Sequence, residues 1–128
     1  MSTESLPEQW NNREFALNYL RTADATVVGR QRSLHILKSF YRHFLDSHKP
    51  NTILDLGCGD GVLSRELMQI DDSISAVLID GSEDMLETAR ELIDDISRVQ
   101  FIHASFQELI AGQVELPAMD FAVSSLAI

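Results

Sequence analysis

The nine residues Ile53-Leu54-Asp55-Leu56-Gly57-Cys58-Gly59-Asp60-Gly61 constrain this chain more than any other stretch. They read as a short buried strand running straight into a glycine turn. Leu63 and Leu67 then begin a helix face. Three glycines at alternate positions let a backbone pass close to a ligand, because no Cβ stands in the way. A turn at the carboxyl end of a strand is where open α/β sheets bind their ligands.

The residues that follow alternate between strand and helix. Thr52–Leu56 is the first expected strand. A helix over Asp60–Ile70 follows, with Leu63, Leu67 and Ile70 on one face. Ile74–Ile79 is a nearly continuous apolar run closed by Asp80. Ser82 caps a helix to about Asp95, with Met85, Leu86, Ala89, Leu92, Ile93 and Ile96 directed inward. Arg98–His103 is the third strand. Ser105 and Glu108 have the spacing of a capping box before a short helix, Phe106–Ala111. Ala118–Ser124 is the fourth strand. Strands joined by helices at short intervals imply a parallel sheet with helices on both faces. Apolar strands without polar alternation agree, since both faces are then covered.

The first 50 residues have a different pattern. Ser5, Pro7 and Glu8 mark a helix start, and Trp10, Phe15, Leu17 and Leu20 fall on one side of it. A second helix runs from about Thr26 to Asp46. Its residues Leu34, Leu37, Phe40, Tyr41, Phe44 and Leu45 recur at spacings of three and four. The expectation is one domain over 1–128: a helical cap over 1–50 and an α/β core over 51–128.

Charge divides the chain in the same way. Residues 1–50 carry seven Lys/Arg against five Asp/Glu, and residues 51–128 carry three against fifteen, for −10 in all. An acidic core disfavours nucleic acid, whose binding is mostly phosphate neutralisation. A single cysteine, Cys58, excludes an internal disulfide and any multi-cysteine zinc site. His35, His43, His48 and His103 form no metal-ligand spacing, so no metal is expected. No apolar stretch approaches the ~20 residues that span a bilayer. Without a basic, apolar leader at the start, a cytoplasmic protein is the expectation.

Glycine-rich turns after a strand have two common readings. The dinucleotide fingerprint G-x-G-x-x-G requires its third glycine at position 62, which is Val62. The chain instead has Gly57, Gly59 and Gly61 after Asp55. Asp80 ends the second strand nineteen residues after Gly61, where an acid can accept both hydroxyls of a ribose.

This pattern resembles the nucleotide-binding loop of class I S-adenosylmethionine-dependent methyltransferases, and three further segments resemble that family in order. They are Gly81-Ser82-Glu83-Asp84-Met85-Leu86, Phe101-Ile102-His103-Ala104-Ser105-Phe106, and Met119-Asp120-Phe121-Ala122-Val123-Ser124-Ser125-Leu126. The match covers about the last 60% of the chain and is similar to the small-molecule subgroup with N-terminal helices. It implies a Rossmann-like sheet in the order 3-2-1-4, apparently truncated after the fourth strand. It further implies S-adenosylmethionine as cofactor, S-adenosylhomocysteine as product, and a probe set of Asp55, Gly57, Cys58, Gly59, Gly61, Asp80, Gly81, Met85, Ala104, Ser105, Phe106 and Ser125 for cofactor binding. Asp55 would favour the cofactor's ammonium group, directly or through water. Met85 would pack on the adenine face, and the segment around Ser105 would line the adenine edge. Ser105 stands where relatives often carry Asp. No catalytic residue is named, because a good nucleophile needs no general base.

Methyl transfer to a small-molecule acceptor, or else a protein, is therefore the expected activity, with the N-terminal helices as a lid. One alternative is a cofactor-holding or scaffold module that needs a partner, or a second copy, at the apolar edge of the fourth strand. The other is a nucleotide-dependent oxidoreductase, against which Val62 and Asp55 argue.

Overall fold

A computed structural model of the chain describes residues 27–124. Helix α1 spans Val27–Phe44, strand β1 Thr52–Leu56, helix α2 Val62–Ile70 and strand β2 Ser75–Asp80. Helix α3 spans Glu83–Leu92, strand β3 Val99–His103, helix α4 Phe106–Ile110 and strand β4 Phe121–Val123. The first expected helix, with Trp10 and Tyr19, lies outside the described residues, and so does Ser125.

The four strands form one sheet in the order β3-β2-β1-β4, and every neighbouring pair is parallel. This is the expected Rossmann-like arrangement. Side chains alternate between the two faces of a strand. Ile53, Ala76, Leu78 and Val123 therefore pack on one face with Tyr41, Leu67, Met68, Leu86, Ala89 and Ile93 from the helices. Leu54, Val77 and Ile79 pack on the other with Ala104, Leu109 and Val114.

Local chemistry sets the element ends. Helix α2 starts at Val62 rather than Asp60 because Gly61 has φ +77°, a left-handed conformation outside any α-helix. A Cβ at Gly61 would also stand 3.1 Å from Leu78 Cδ2 and 3.3 Å from Ala89 Cβ, so glycine lets the turn sit tight on the core. Ser82 caps α3 by accepting from Met85 N, and Ser105 and Glu108 form the full capping box on α4.

Two expectations need correction. Helix α3 stops at Leu92, because Ile93 is already extended at φ −89°, ψ 125°. Leu92 and Ile96 are consequently about half exposed, not inward. Strand β4 is shorter than Ala118–Ser124. Asp120 meets Thr52 instead through a backbone bond of 2.8 Å and a carboxylate that accepts Thr52 N at 2.7 Å. On α1, Leu34 and Tyr41 are buried, but Phe40 and Phe44 stay about half exposed. Phe40 stacks on Phe121 with ring centroids 5.7 Å apart.

At the amino ends of the strands, Tyr41 is fully buried and donates to Asp71 Oδ2. Asn51 donates to Tyr41 at 3.0 Å and to the Leu45 carbonyl at 2.8 Å. This network ties α1, the approach to β1 and the end of α2. Burial and the Asp71 carboxylate push the Tyr41 hydroxyl up to about 12. No helix among the described residues is long and apolar enough to cross a membrane.

Candidate functional site

The carboxyl ends of β1, β2 and β3 lie side by side, and backbone hydrogen bonds lock their loops together. Cys58 N donates to the Ile79 carbonyl at 2.9 Å, extending the β1–β2 ladder into the glycine turn. Ala104 N donates to the Asp80 carbonyl at 3.1 Å, extending β2–β3 in the same way. Gly57, Gly59 and Gly61 all have positive φ, at 63°, 57° and 77°. A Cβ added at Gly59 would meet no atom within 4 Å. The crest of the turn therefore faces open space.

Asp80 joins the turn to the end of β2. Its Oδ2 accepts Gly59 N at 2.9 Å, and its Oδ1 accepts Ser82 N at 2.8 Å. Each carboxylate oxygen has a further lone pair, so capacity for ligand hydroxyls remains. Burial raises the Asp80 carboxyl above its usual range, against the two amides that lower it.

Asp55 is fully buried beneath the turn. Its Oδ2 accepts the Ser64 hydroxyl at 2.8 Å, and its Oδ1 has no hydrogen-bond partner among the described residues. Burial pushes this carboxyl up to about 7, opposed by the Ser64 hydrogen bond and reinforced by the negative charges of Asp80 and Asp60.

The amides of Cys58–Gly61 lead into the start of α2. Those of Cys58, Gly59 and Gly61 are already engaged, the last with the Cys58 carbonyl at 2.9 Å. Val62 N is taken by Asp60 Oδ1 at 3.2 Å. Anion binding at this helix start is thus not the turn's main offer. Cys58 is buried, and its thiol is pushed far up by burial and by Asp55, Asp80 and Asp60, which suits a packing residue rather than a nucleophile.

The remaining predicted residues have mixed positions. Gly81 is half-buried, and its carbonyl meets His103 Nε2 at 3.0 Å. Met85 is fully buried, Ala104 is buried, and Phe106 is about half exposed. The Ser105 hydroxyl is occupied by the cap, accepting Glu108 N at 3.1 Å. No group of three His, Cys, Asp or Glu that could hold a metal exists among the described residues.

Sequence reasoning missed two partners. Ser64 supports Asp55 from α2, and only its position nine residues on, in the first turn of that helix, hinted at the contact. Asp60 gathers Arg30 at 3.4 Å and Arg65 at 3.3 Å, which pins the start of α1 to the glycine turn. Arg32 is exposed.

An open parallel sheet with a glycine turn against an acidic strand end defines a Rossmann-like nucleotide-site architecture. Residues 53–128 match the model of a methyltransferase domain family, and the chain belongs to that family. Over 77 residues, 60% of this chain, it is 30% identical to a malonyl-(acyl-carrier protein) O-methyltransferase of Halalkalibacterium halodurans. Over 40 residues, 31% of this chain, it is 55% identical to an uncharacterized methyltransferase of Schizosaccharomyces pombe. The chain spans only 28% and 15% of those two relatives' lengths. An S-adenosylmethionine-dependent methyltransferase of Thiobacillus denitrificans, solved with S-adenosyl-L-homocysteine, superimposes with a TM-score of 0.57 at 27% identity, over 75% of this chain and 36% of that one. The plantazolicin methyltransferase BamL shares the fold, with a TM-score of 0.62 at 21% identity, over 91% of this chain and 46% of that one.

Proposed function

We propose that this chain is the cofactor-holding part of an S-adenosylmethionine-dependent methyltransferase whose acceptor is a small molecule. The observation that carries the reading is the Gly59 N to Asp80 hydrogen bond of 2.9 Å, which sets a ribose-accepting acid against an unobstructed glycine turn. The residues fit the cofactor. Asp80 retains lone pairs for the ribose diol, and the unpartnered Asp55 Oδ1 suits a cationic amino group. Gly57 and Gly59 let the ligand approach, while Gly61 serves packing of the turn. Gly81, Ala104, Ser105 and Phe106 border the adenine side. Met85 backs that side from within the core.

The bound cofactor supplies an electrophilic methyl group on a sulfonium. The protein's task is orientation, which can contribute ~7–11 kcal/mol toward a barrier. The acidic core supports an uncharged or cationic small acceptor over nucleic acid. A cytoplasmic setting is part of this reading. A second reading, a cofactor-binding module completed by a partner or further chain at β4, is favoured by that strand's pairing with β1 alone among the described residues.

Calorimetric titration with S-adenosylhomocysteine and with a nicotinamide dinucleotide tests the cofactor. The wild-type chain should bind the first at micromolar levels and not the second. Asp80→Ala should weaken binding at least tenfold. Binding of the dinucleotide instead would overturn the reading.

A further inference from the structure

We infer that Ser64 is a positioning residue: its hydroxyl holds Asp55 so that the second carboxylate oxygen stays available, as a charge, to the cationic amino group of the ligand's amino-acid part. The inference rests on the cofactor reading above and assigns to α2 a part in it that the glycine turn does not perform.

Three observations carry it. Ser64 is fully buried in the first turn of a helix whose buried face is otherwise Leu67 and Met68. A buried hydroxyl at such a site costs stability unless it is hydrogen-bonded, and its partner is Asp55 Oδ2 at 2.8 Å. The other oxygen, Oδ1, is equally buried and has no partner among the described residues. A structural carboxylate has both oxygens satisfied, as Asp71 does through the Tyr41 hydroxyl and Ser73 N. Asp55 is instead hydrogen-bonded on one side and unpartnered on the other, below the glycine turn.

The surroundings make the hydroxyl matter. In register, Asp55 is flanked by Leu78 on β2 and Val123 on β4, which give it no charge partner. The acids Asp80 on β2 and Asp60 in the turn oppose its ionisation, and the buried Cys58 thiol offers no cation. The nearby cations, Arg30 on α1 and Arg65 on α2, both pair with Asp60. Ser64 is the side-chain donor that favours the carboxylate form. Removing it shifts Asp55 toward the neutral acid, which attracts an ammonium group far less.

The test compares two probes on the full chain: S-adenosylhomocysteine, which carries the amino-acid part, and 5′-methylthioadenosine, which lacks it. Ser64→Ala should weaken the first about tenfold near pH 7, the scale of one hydrogen bond to a charged group, and change the second less than about twofold. The pH at which S-adenosylhomocysteine binding reaches half its alkaline strength should move upward in Ser64→Ala, and Ser64→Thr should restore it. Asp55→Asn provides the check on folding: it keeps the shape, should show the same selective loss, and should make a further Ser64→Ala change silent. Equal weakening of both probes, or an unmoved pH profile, would make Ser64 a packing residue and overturn the inference while leaving the cofactor reading intact. Failure of the wild type to bind either probe would overturn both.

Discussion

Burying a carboxylate under an apolar strand end is unfavourable unless something uses the charge. Asp55 shows the cost in its proton affinity, which burial raises to about 7. A carboxyl held above its unfolded value of roughly 3.9 binds protons more tightly in the folded state. Its contribution to stability is therefore complete below about pH 4 and is lost as pH rises toward 7. The ligand-free chain should lose thermal stability between pH 5 and pH 7.5 on this account, with Asp80 acting in the same direction. Asp55→Asn should flatten that slope and stabilise the free chain at pH 7.5 by up to about 4 kcal/mol, since each pKa unit is worth ~1.4 kcal/mol. Thermal melts across that pH range measure it. A less stable Asp55→Asn at pH 7.5 would mean that the charge serves the fold rather than a ligand. Such an exchange of stability for a functional charge is common at binding sites.

At the scale of elements, the amino ends of the strands are held by polar groups rather than by more core. Tyr41 reaches from α1 to Asp71 at the end of α2, and Asn51 joins both to the start of β1. Asp71 also accepts Ser73 N at 2.9 Å and Ser73 Oγ at 2.7 Å. Burial alone would raise Asp71, but the Tyr41 and Ser73 donors and Lys49 outweigh it and hold the carboxyl below its usual value. That contribution is present above the unfolded value and is lost as pH falls through the folded one, opposite in sign to Asp55. Tyr41→Phe should cost about 1–3 kcal/mol at pH 7, because it leaves two buried groups short of a partner. Urea unfolding would measure it, and a change within error would show that the network adds nothing to the packing of α1. The caps were legible beforehand because they depend on residues three apart: Ser82 and Ser105 do what their positions predict. The ends of α3 and β4 were not. Leu92 and Ile96 fit a helical pattern, but the chain turns extended at Ile93. Asp120 reads as a strand residue until it meets Thr52, sixty-eight positions away.

Across the whole molecule, charge and topology point the same way. A net −10, concentrated after residue 50, gives the sheet domain a repulsive field toward polyanions. The chain should pass through an immobilised heparin or DNA column at about 0.15 M salt, where exposed charges interact over only ~8 Å. Retention there would point to a basic surface and reopen nucleic acid as a substrate. Parallel pairing and the glycine turn at the end of β1 follow from strand-turn-helix periodicity and right-handed crossovers, while the order β3-β2-β1-β4 was implied by the resemblance to the methyltransferase family. Sequence also determined the candidate acids, because Asp80 ends an apolar strand and Asp55 stands just before the glycine turn. Only the tertiary structure decided what those acids do. It turned Asp80 onto Gly59 N, engaged the amides of the glycine turn, gave Gly61 to packing, and set Ser64 beside Asp55. Those outcomes depend on which strand ends and helix turns meet in space. Local pattern carries no information about a hydrogen bond between residues that only the closed sheet brings together.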